Sequence, residues 1–370
     1  FTHDRLIVRA GGGVFHNFAA INASGFSTLA ASAPFVQQIA LGAGNADNLR
    51  SGVRTDLVFP PDFSSISEDW RPSEVYSYSL SLQTALPARM TLDVSYASHL
   101  GRYLLMGRNV NFLPIDYIRA NLTRVLRLDL PYPTVNGIAL YESAASSAYH
   151  GLHVSLAQRN WHGLTLAFSY AWSKALGYGS QGPGLQQDPF NRRAERSDME
   201  ESRRHTASLS HTYEVPTVPW KPLRWLARDW VWSGVVTLYT GRHFTATVQP
   251  GGAIFASRAD IDRDPHLPRS ERTRFRYIDP TALRIPQPFT YGNSAPFYLI
   301  GPGTINYDLF LVRRISLSER LKLELRGDFF NALNHANPIG YVTSVNNRAF
   351  GQVNSYLNPR TGGLGARLNW

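Results

Sequence analysis

Apolar and polar residues alternate with a period of two along much of this 370-residue chain. Leu164, Leu166, Phe168, Tyr170 and Trp172 are interleaved with Thr165, Ala167, Ser169, Ala171 and Ser173. Successive strand side chains point to opposite faces, so this pattern predicts a strand with one apolar face and one small or polar face. Residues 321–330 add a constraint. Leu321, Leu323, Leu325 and Phe329 line one face, while Lys322, Glu324, Arg326 and Asp328 line the other. Charges stacked along one strand face need water, because a dry core would leave them unsolvated. Equivalent runs recur near 5–16, 74–86, 89–99, 149–158, 203–215, 229–241, 304–315 and 362–370, which makes ten strands in all. No stretch with a period of 3.6 competes for these segments.

The connections between the runs alternate in length. Long segments (17–73, 100–148, 177–202, 242–303, 331–361) are separated by turns at Pro87, Asn160–Gly163 and Ser316–Ser318, and by a medium connection at 216–228. Short turns on one side and long loops on the other predict an outer-membrane barrel of antiparallel, up-and-down strands, with turns periplasmic and loops extracellular. A soluble sandwich or propeller has no reason to sort its loops by side. Much of the Pro and Gly lies in the long connections: Pro60, Pro61, Pro131, Pro133, Gly179 to Gly184, Pro265, Pro268, Pro286 and Pro288. The last strand then runs downward and leaves the C-terminus in the periplasm.

Composition agrees with this reading. Charged residues are only 17% and aromatics reach 12%, a balance that suits a wall facing lipid more than a soluble surface. No apolar run reaches the 18 residues or so that a transmembrane helix needs. The absence of Cys excludes disulfides and thiolate chemistry. The net charge of +10 comes almost entirely from Arg, with Lys only at 174, 221 and 322. These cations are dispersed rather than blocked, which argues against a nucleic-acid partner and leaves lipopolysaccharide phosphates or an acidic ligand for loop arginines such as Arg269, Arg272, Arg274 and Arg276. Tyr170 and Trp172 fall at the loop-side end of their strand, and Trp230 and Trp232 at the turn-side end of theirs, just after Trp220 and Trp225. With Phe329, they predict aromatic girdles at the two membrane interfaces. The final strand places Leu364, Ala366, Leu368 and Trp370 on one face, in the form of a C-terminal signal for the barrel assembly machinery.

Candidate chemistry is sparse. His150 and His153 fall on opposite faces of one strand and cannot share a metal, and His205 and His211 share a face but are too far apart. Asp260, Asp262, Asp264 and Glu271 copy the acidic spacing of a Ca²⁺ loop. Pro265 occupies the position that needs Gly, and Arg263 and Arg269 add positive charge, so a solvated acidic loop tip is the better reading. No nucleophile motif, phosphate loop or phased acid pair is present, and neither an enzymatic activity nor a cofactor is expected. Asn306, Asp308 and Arg314 join Lys322, Glu324, Arg326 and Asp328 as the predicted lumenal set. A three-residue turn at Ser316–Ser318 would set Asp308 directly across from Arg326.

Three stretches resemble one family. The first runs from Ala148-Tyr149-His150-Gly151-Leu152 to Ser169-Tyr170-Ala171-Trp172-Ser173-Lys174-Ala175. The second runs from Asn191 and Arg192 through Glu195-Arg196-Ser197-Asp198 to Arg204-His205 and Tyr213-Glu214-Val215-Pro216. The third joins Gly301-Pro302-Gly303 and Asp308-Leu309 to Arg326-Gly327-Asp328-Phe329-Phe330-Asn331-Ala332-Leu333-Asn334-His335, and Phe350-Gly351 and the closing strand match as well. Together they are similar to the Oar-like TonB-dependent receptors common in Acidobacteria, with Asp328 where that family more often has Glu. The resemblance implies the C-terminal part of a barrel of 22 strands. The plug, the TonB-contacting segment and the earlier strands would then lie upstream, consistent with a chain that starts at Phe1 without an export signal. It also implies import of a nutrient ligand, oligosaccharide among the candidates. A passive channel or adhesin, and a secreted carbohydrate-binding β protein, are the alternatives.

Overall fold

A computed structural model describes residues 6–17, 62–123, 126–178, 186–216, 228–248, 258–273 and 275–370. Its strands, in chain order, begin with β1 (Leu6–Asn17), β2 (Phe63–Ile66), β3 (Ser73–Leu86), β4 (Met90–Asn109), β5 (Ile138–Trp161) and β6 (Leu164–Tyr178). There follow β7 (Arg196–Asp198), β8 (His205–Glu214), β9 (Trp230–Tyr239), β10 (His243–Phe244), β11 (Asp260–Ile261) and β12 (Leu283–Arg284). The series ends with β13 (Leu299–Ile300), β14 (Thr304–Ser316), β15 (Lys322–Phe330), β16 (Pro338–Tyr341), β17 (Val353–Tyr356) and β18 (Thr361–Asn369). Ten of them form one antiparallel meander in the order β1-β3-β4-β5-β6-β8-β9-β14-β15-β18. These are the ten strands that the alternation predicts.

The register gathers most of the strands' apolar residues on a single sheet face. Val8 sits opposite Leu82, Leu82 opposite Val94, and Val94 opposite Val154. The row continues from Val154 to Tyr170, Ala207 and Leu238. Farther along, Leu323 faces Leu368 and Leu325 faces Ala366. On the other face the row runs Ser81, Ser95 and His153, and Asp93, Ser155 and Ser169. Because the side-chain period is two, a slip of one residue would turn a whole row over, so this agreement across the meander fixes the register. The apolar face is open: Leu80, Tyr96, Trp172 and Trp232 are all exposed. A continuous apolar surface of this extent marks contact with lipid, and the opposite face is the aqueous one.

Three boundary expectations change. The turn between β14 and β15 spans 317–321 rather than 316–318, closed by the Leu317 and Ser318 amides donating to the Leu321 carbonyl at 2.9 and 3.1 Å. That shifts the pairing by four residues, so Val312 rather than Asp308 faces Arg326. The shift is even, so every side chain keeps its predicted face. Next, β4 and β5 run for 20 and 24 residues, well beyond 89–99 and 149–158. At 3.3 Å per residue, β5 reaches about 80 Å, far more than a membrane requires. The alternation is hidden because the ladder is irregular from Gly101 to Leu105, where Tyr103 takes a left-handed φ of 54°. Finally, the long connections contain ordered elements: β2 pairs in parallel with the start of β5, a helix spans Ile115–Ala120, and β10, β11, β12, β13, β16 and β17 form small two-stranded sheets.

Burial is distributed in an unusual way as a result. The largest apolar cluster lies in the loops: Phe244, Ala246, Val248, Ala259, Ile278, Ala282, Leu283, Leu299 and Phe350. Phe244 stacks on Tyr341 at 4.8 Å between ring centroids, which ties 242–303 to 331–361 in one lobe on the loop side. The tight turns follow local backbone rules. Between β5 and β6, Gly163 adopts φ +83°, and a side chain there would run into the Glu214 carbonyl.

The two faces predict opposite responses to charge. Val154→Arg, in the middle of the apolar row, is expected to cost about 2–4 kcal/mol and to abolish the heat-modifiable folded band on electrophoresis. Ser155→Arg, one residue on and opposite Asp93, is expected to leave that band intact. Equal tolerance of both would invert the assignment of faces.

Candidate functional site

On the aqueous face the predicted lumenal residues form a ladder of short ion pairs. Arg314 Nε lies 3.2 Å from Glu324, and Arg326 Nε 2.7 Å from Asp328. Glu324 also faces Arg367 across the ladder, and Lys322 faces Asn369. These groups are partly exposed, so each pair stabilises by at most about 1 kcal/mol and their main effect is on the field along the wall. Asp308 has a different job from the expected one. Its Oδ1 accepts from the Asn331 amide at 2.9 Å and from the Asn306 side chain at 3.0 Å. It closes the start of the last long loop.

That loop shows what the Asn331-to-His335 motif is for. Asn331 is buried at φ 48°, and its side-chain amide donates to the carbonyls of His335 and Asn358 at 2.9 and 3.2 Å. Its Oδ1 accepts from the His335 amide at 3.0 Å. Asn334 accepts from the Arg360 amide at 3.1 Å, and Asn337 from the Ile305 amide at 2.8 Å. Side-chain amides carry both donors and acceptors, so they can satisfy a chain reversal without secondary structure. The motif is a clasp at the rim of the wall.

The girdle residues divide as follows. Tyr170 hydrogen-bonds His205 Nδ1 at 2.7 Å, on the same face as the exposed Trp172. Trp232 Nε1 donates to the Tyr307 hydroxyl at 2.9 Å, and the Arg313 guanidinium lies 5.6 Å from the Trp230 ring centre. Phe329 covers Gly327 and its cross-strand partner Gly362. Trp220, Trp225, Pro60, Pro61, Gly179 to Gly184 and Arg274 lie outside the described residues. In the closing strand, Leu364, Ala366 and Leu368 share the apolar face of β15, and Leu364 and Trp370 are almost fully exposed.

The candidate Ca²⁺ set does not converge. Asp260 accepts from the Asn293 amide at 3.0 Å and pairs with Arg284 at 3.5 Å, and Asp262 pairs with the same Arg284 at 3.0 Å. Asp264 turns to His266 at 2.7 Å, and Glu271 is exposed in a 3-10 turn. Among the described residues no group of three or more His, Asp or Glu is placed to hold a metal. Asp260 and Asp262 are thus held by Arg284 and Asp264 by His266, while Arg263 turns away to Asp279.

Sequence reasoning missed the interior of the loop lobe. Glu195 and Arg258 form an ion pair of 2.7 Å with side chains only 3% and 5% exposed. Arg258 Nε also donates to the Ser294 carbonyl at 2.9 Å, and its backbone amide donates to Gln187 at 3.1 Å. Gln187 reaches the Gly292 carbonyl at 2.7 Å and accepts nothing from Glu195, whose Oε1 instead takes the Gln187 amide at 3.2 Å. Gly292 is required here, since a side chain would collide with the Arg258 carbonyl. Beside this pair lies a cleft of ≈ 400 Å³ lined by the 187–196 segment and by Tyr291 to Ala295. The Glu195 stretch was visible as a motif, but its partner lies 63 residues away with no local signal.

Glu195→Ala should strand a buried guanidinium, at about 3–5 kcal/mol, and speed limited proteolysis within 242–303 while leaving the heat-modifiable wall intact. Acid should act on the same lobe. Hydrogen bonds from the His266 amide and ring hold Asp264 below its ordinary pKa, and those from Thr281 do the same for Asp279. A depressed carboxylate pKa contributes stability above the ordinary value of 3.8 and loses it as pH falls through the folded value. Protection against hydrogen exchange at 258–300, corrected for the intrinsic rate, is therefore expected to fall below about pH 4.

The chain matches the family described as outer membrane beta barrel domain over residues 1–362. No curated protein matches it in sequence. Among solved structures it is similar to the outer membrane transporter YddB from Escherichia coli, at 10% identity and a TM-score of 0.54, covering 98% of this chain and 38% of that one. It is also similar to FpvA of P. aeruginosa (10% identity, TM-score 0.48, 100% and 32% covered). The siderophore receptor PiuA from Acinetobacter baumannii gives 10%, 0.47, 99% and 34%. The chain thus spans about a third of the length of these structures. The two-faced antiparallel meander and the family match together show that this chain belongs to the outer membrane beta barrel domain family, and its place is the outer membrane.

Proposed function

We propose that the chain forms part of the wall of an outer-membrane importer of the TonB-dependent, Oar-like kind. The observation that carries this reading is the mainly polar face running from β1 to β18, with its charge ladder on β14, β15 and β18. A wall polar on one side and apolar on the other encloses an aqueous path through lipid. The sheet has two edges, β1 and β18, and unpaired backbone in hydrocarbon costs several kcal/mol per group, so further strands would complete the barrel. Those strands, a plug and the contact with TonB would come from the region upstream.

In this scheme the loop lobe captures a nutrient ligand outside the cell, the plug is remodelled through TonB, and the ligand passes along the polar face. The exposed Arg269 and its neighbours would meet lipopolysaccharide, and the barrel assembly machinery would read the last strand. The wall's part is to hold the plug and set the field the ligand crosses, with no bond made or broken.

Conductance tests the scheme without knowledge of the ligand. The full-length protein in a planar bilayer is expected to be nearly closed, and deletion of the upstream plug should open large steps. Steady conductance from the intact protein would mean a passive channel. Arg326→Leu should raise the leak while leaving folding unchanged, and lost folding with an unaltered leak would count against a plug-holding ladder.

A further inference from the structure

We propose that the cleft between residues 187–196 and 291–295 binds a small, hydroxyl-rich ligand bearing an oxyanion, of the sugar-acid class. Its biological purpose rests on the importer reading above, but its chemistry is read from the cleft alone. Small-molecule sites are usually lined by apolar and aromatic side chains with a few polar groups. This one carries more polar side chains than that, with the Asp188 carboxylate as its one acid. Gln187, Arg193, Arg196, Tyr291, Asn293 and Ser294 line it, with alanine and glycine for the remainder of the second wall. Its volume of ≈ 400 Å³ falls within the usual range for ligand sites.

The lining offers more donors than the protein uses. Ser294 is 4% exposed, and its Oγ has no hydrogen-bond partner. Its backbone is fully engaged, the amide donating to the Ala259 carbonyl at 3.2 Å and the carbonyl accepting from Arg258 at 2.9 Å. The hydroxyl is therefore held in place by bonds that do not involve it. Tyr291 repeats the arrangement, with a buried hydroxyl lacking a partner. Burial, with a contribution from the Asp188 carboxylate, pushes its pKa up to about 12, so it remains a donor at physiological pH. Leaving two such groups unpaired is costly, and a ligand that bonds to both would recover that cost.

Charge selects the class of ligand. Arg258 is neutralised by Glu195, but Arg193 and Arg196 are exposed and have no acidic partner among the described residues. A guanidinium fork matches the two oxygens of a carboxylate, sulfate or phosphate. Fixed hydroxyl and amide groups around it suit a scaffold rich in hydroxyls rather than an apolar acid. The buried Glu195–Arg258 pair is the back wall that holds both sides of the cleft at their spacing.

The test is calorimetric titration of the purified protein in detergent with digalacturonate, maltose and inorganic phosphate. Saturable binding of digalacturonate is expected, with the other two at least about tenfold weaker. The double variant Arg193→Ala/Arg196→Ala should weaken digalacturonate about tenfold or more, and Tyr291→Phe and Ser294→Ala each severalfold. Arg348→Ala, an exposed arginine that does not line the cleft, should change nothing. Unchanged thermal melting of Tyr291→Phe and Ser294→Ala would separate lost contact from lost fold. Equal binding of maltose would overturn the anionic element, equal binding of phosphate the hydroxyl-rich one, and no saturable binding the whole proposal. A protein that binds digalacturonate but conducts steadily when intact would overturn the importer reading and leave the cleft standing. A plug-gated protein that fails to bind would do the reverse.

Discussion

Hydrocarbon has no water to receive a backbone N–H or C=O, and that single fact organises this molecule. Each strand must be paired on both sides, so the chain becomes a meander whose neighbours in sequence are neighbours in space. Pairing then couples the faces: once Val154 faces lipid, its partners Val94 and Tyr170 must as well. The alternation in any one strand is a weak signal. The register makes ten weak signals agree.

The same constraint moves the ordinary hydrophobic core elsewhere. A wall one sheet thick has no interior of its own, and its apolar side chains are solvated by lipid. Among the described residues, compact burial is concentrated above all in the lobe built around Ile278, Leu299 and Phe350. Both kinds of organisation meet at the rim, where Asp308, Asn331 and Asn337 knot the ends of β14 and β15 to the last loop. A motif that resembles a family hallmark thus serves as a clasp, and the polar cleft lies in the lobe that such clasps support.

Legibility in the sequence varied with the range of the interaction. The faces of β6 and β15 could be read directly because strand geometry is local, and the loop asymmetry gave their arrangement. The ends of β4 and β5 could not, since the irregularity between Gly101 and Leu105 disguises a strand that continues. The turn after β14 came out two residues too short, because the Ser318 hydroxyl and backbone close a five-residue loop that pattern alone does not distinguish. Asp308 kept its predicted face but lost its predicted partner.

By itself, then, the sequence determined the fold class, the number of wall strands and which side of each meets lipid, because period-two alternation and turn chemistry act over a few residues. Only the tertiary structure decided that the long connections fold, that Glu195 meets Arg258, that Asp260 and Asp262 are taken by Arg284 and Asp264 by His266, and that Tyr291 and Ser294 face an unfilled demand for partners. Those contacts join residues tens of positions apart in irregular segments. No periodicity relates such residues, and their pairing is set by packing in three dimensions.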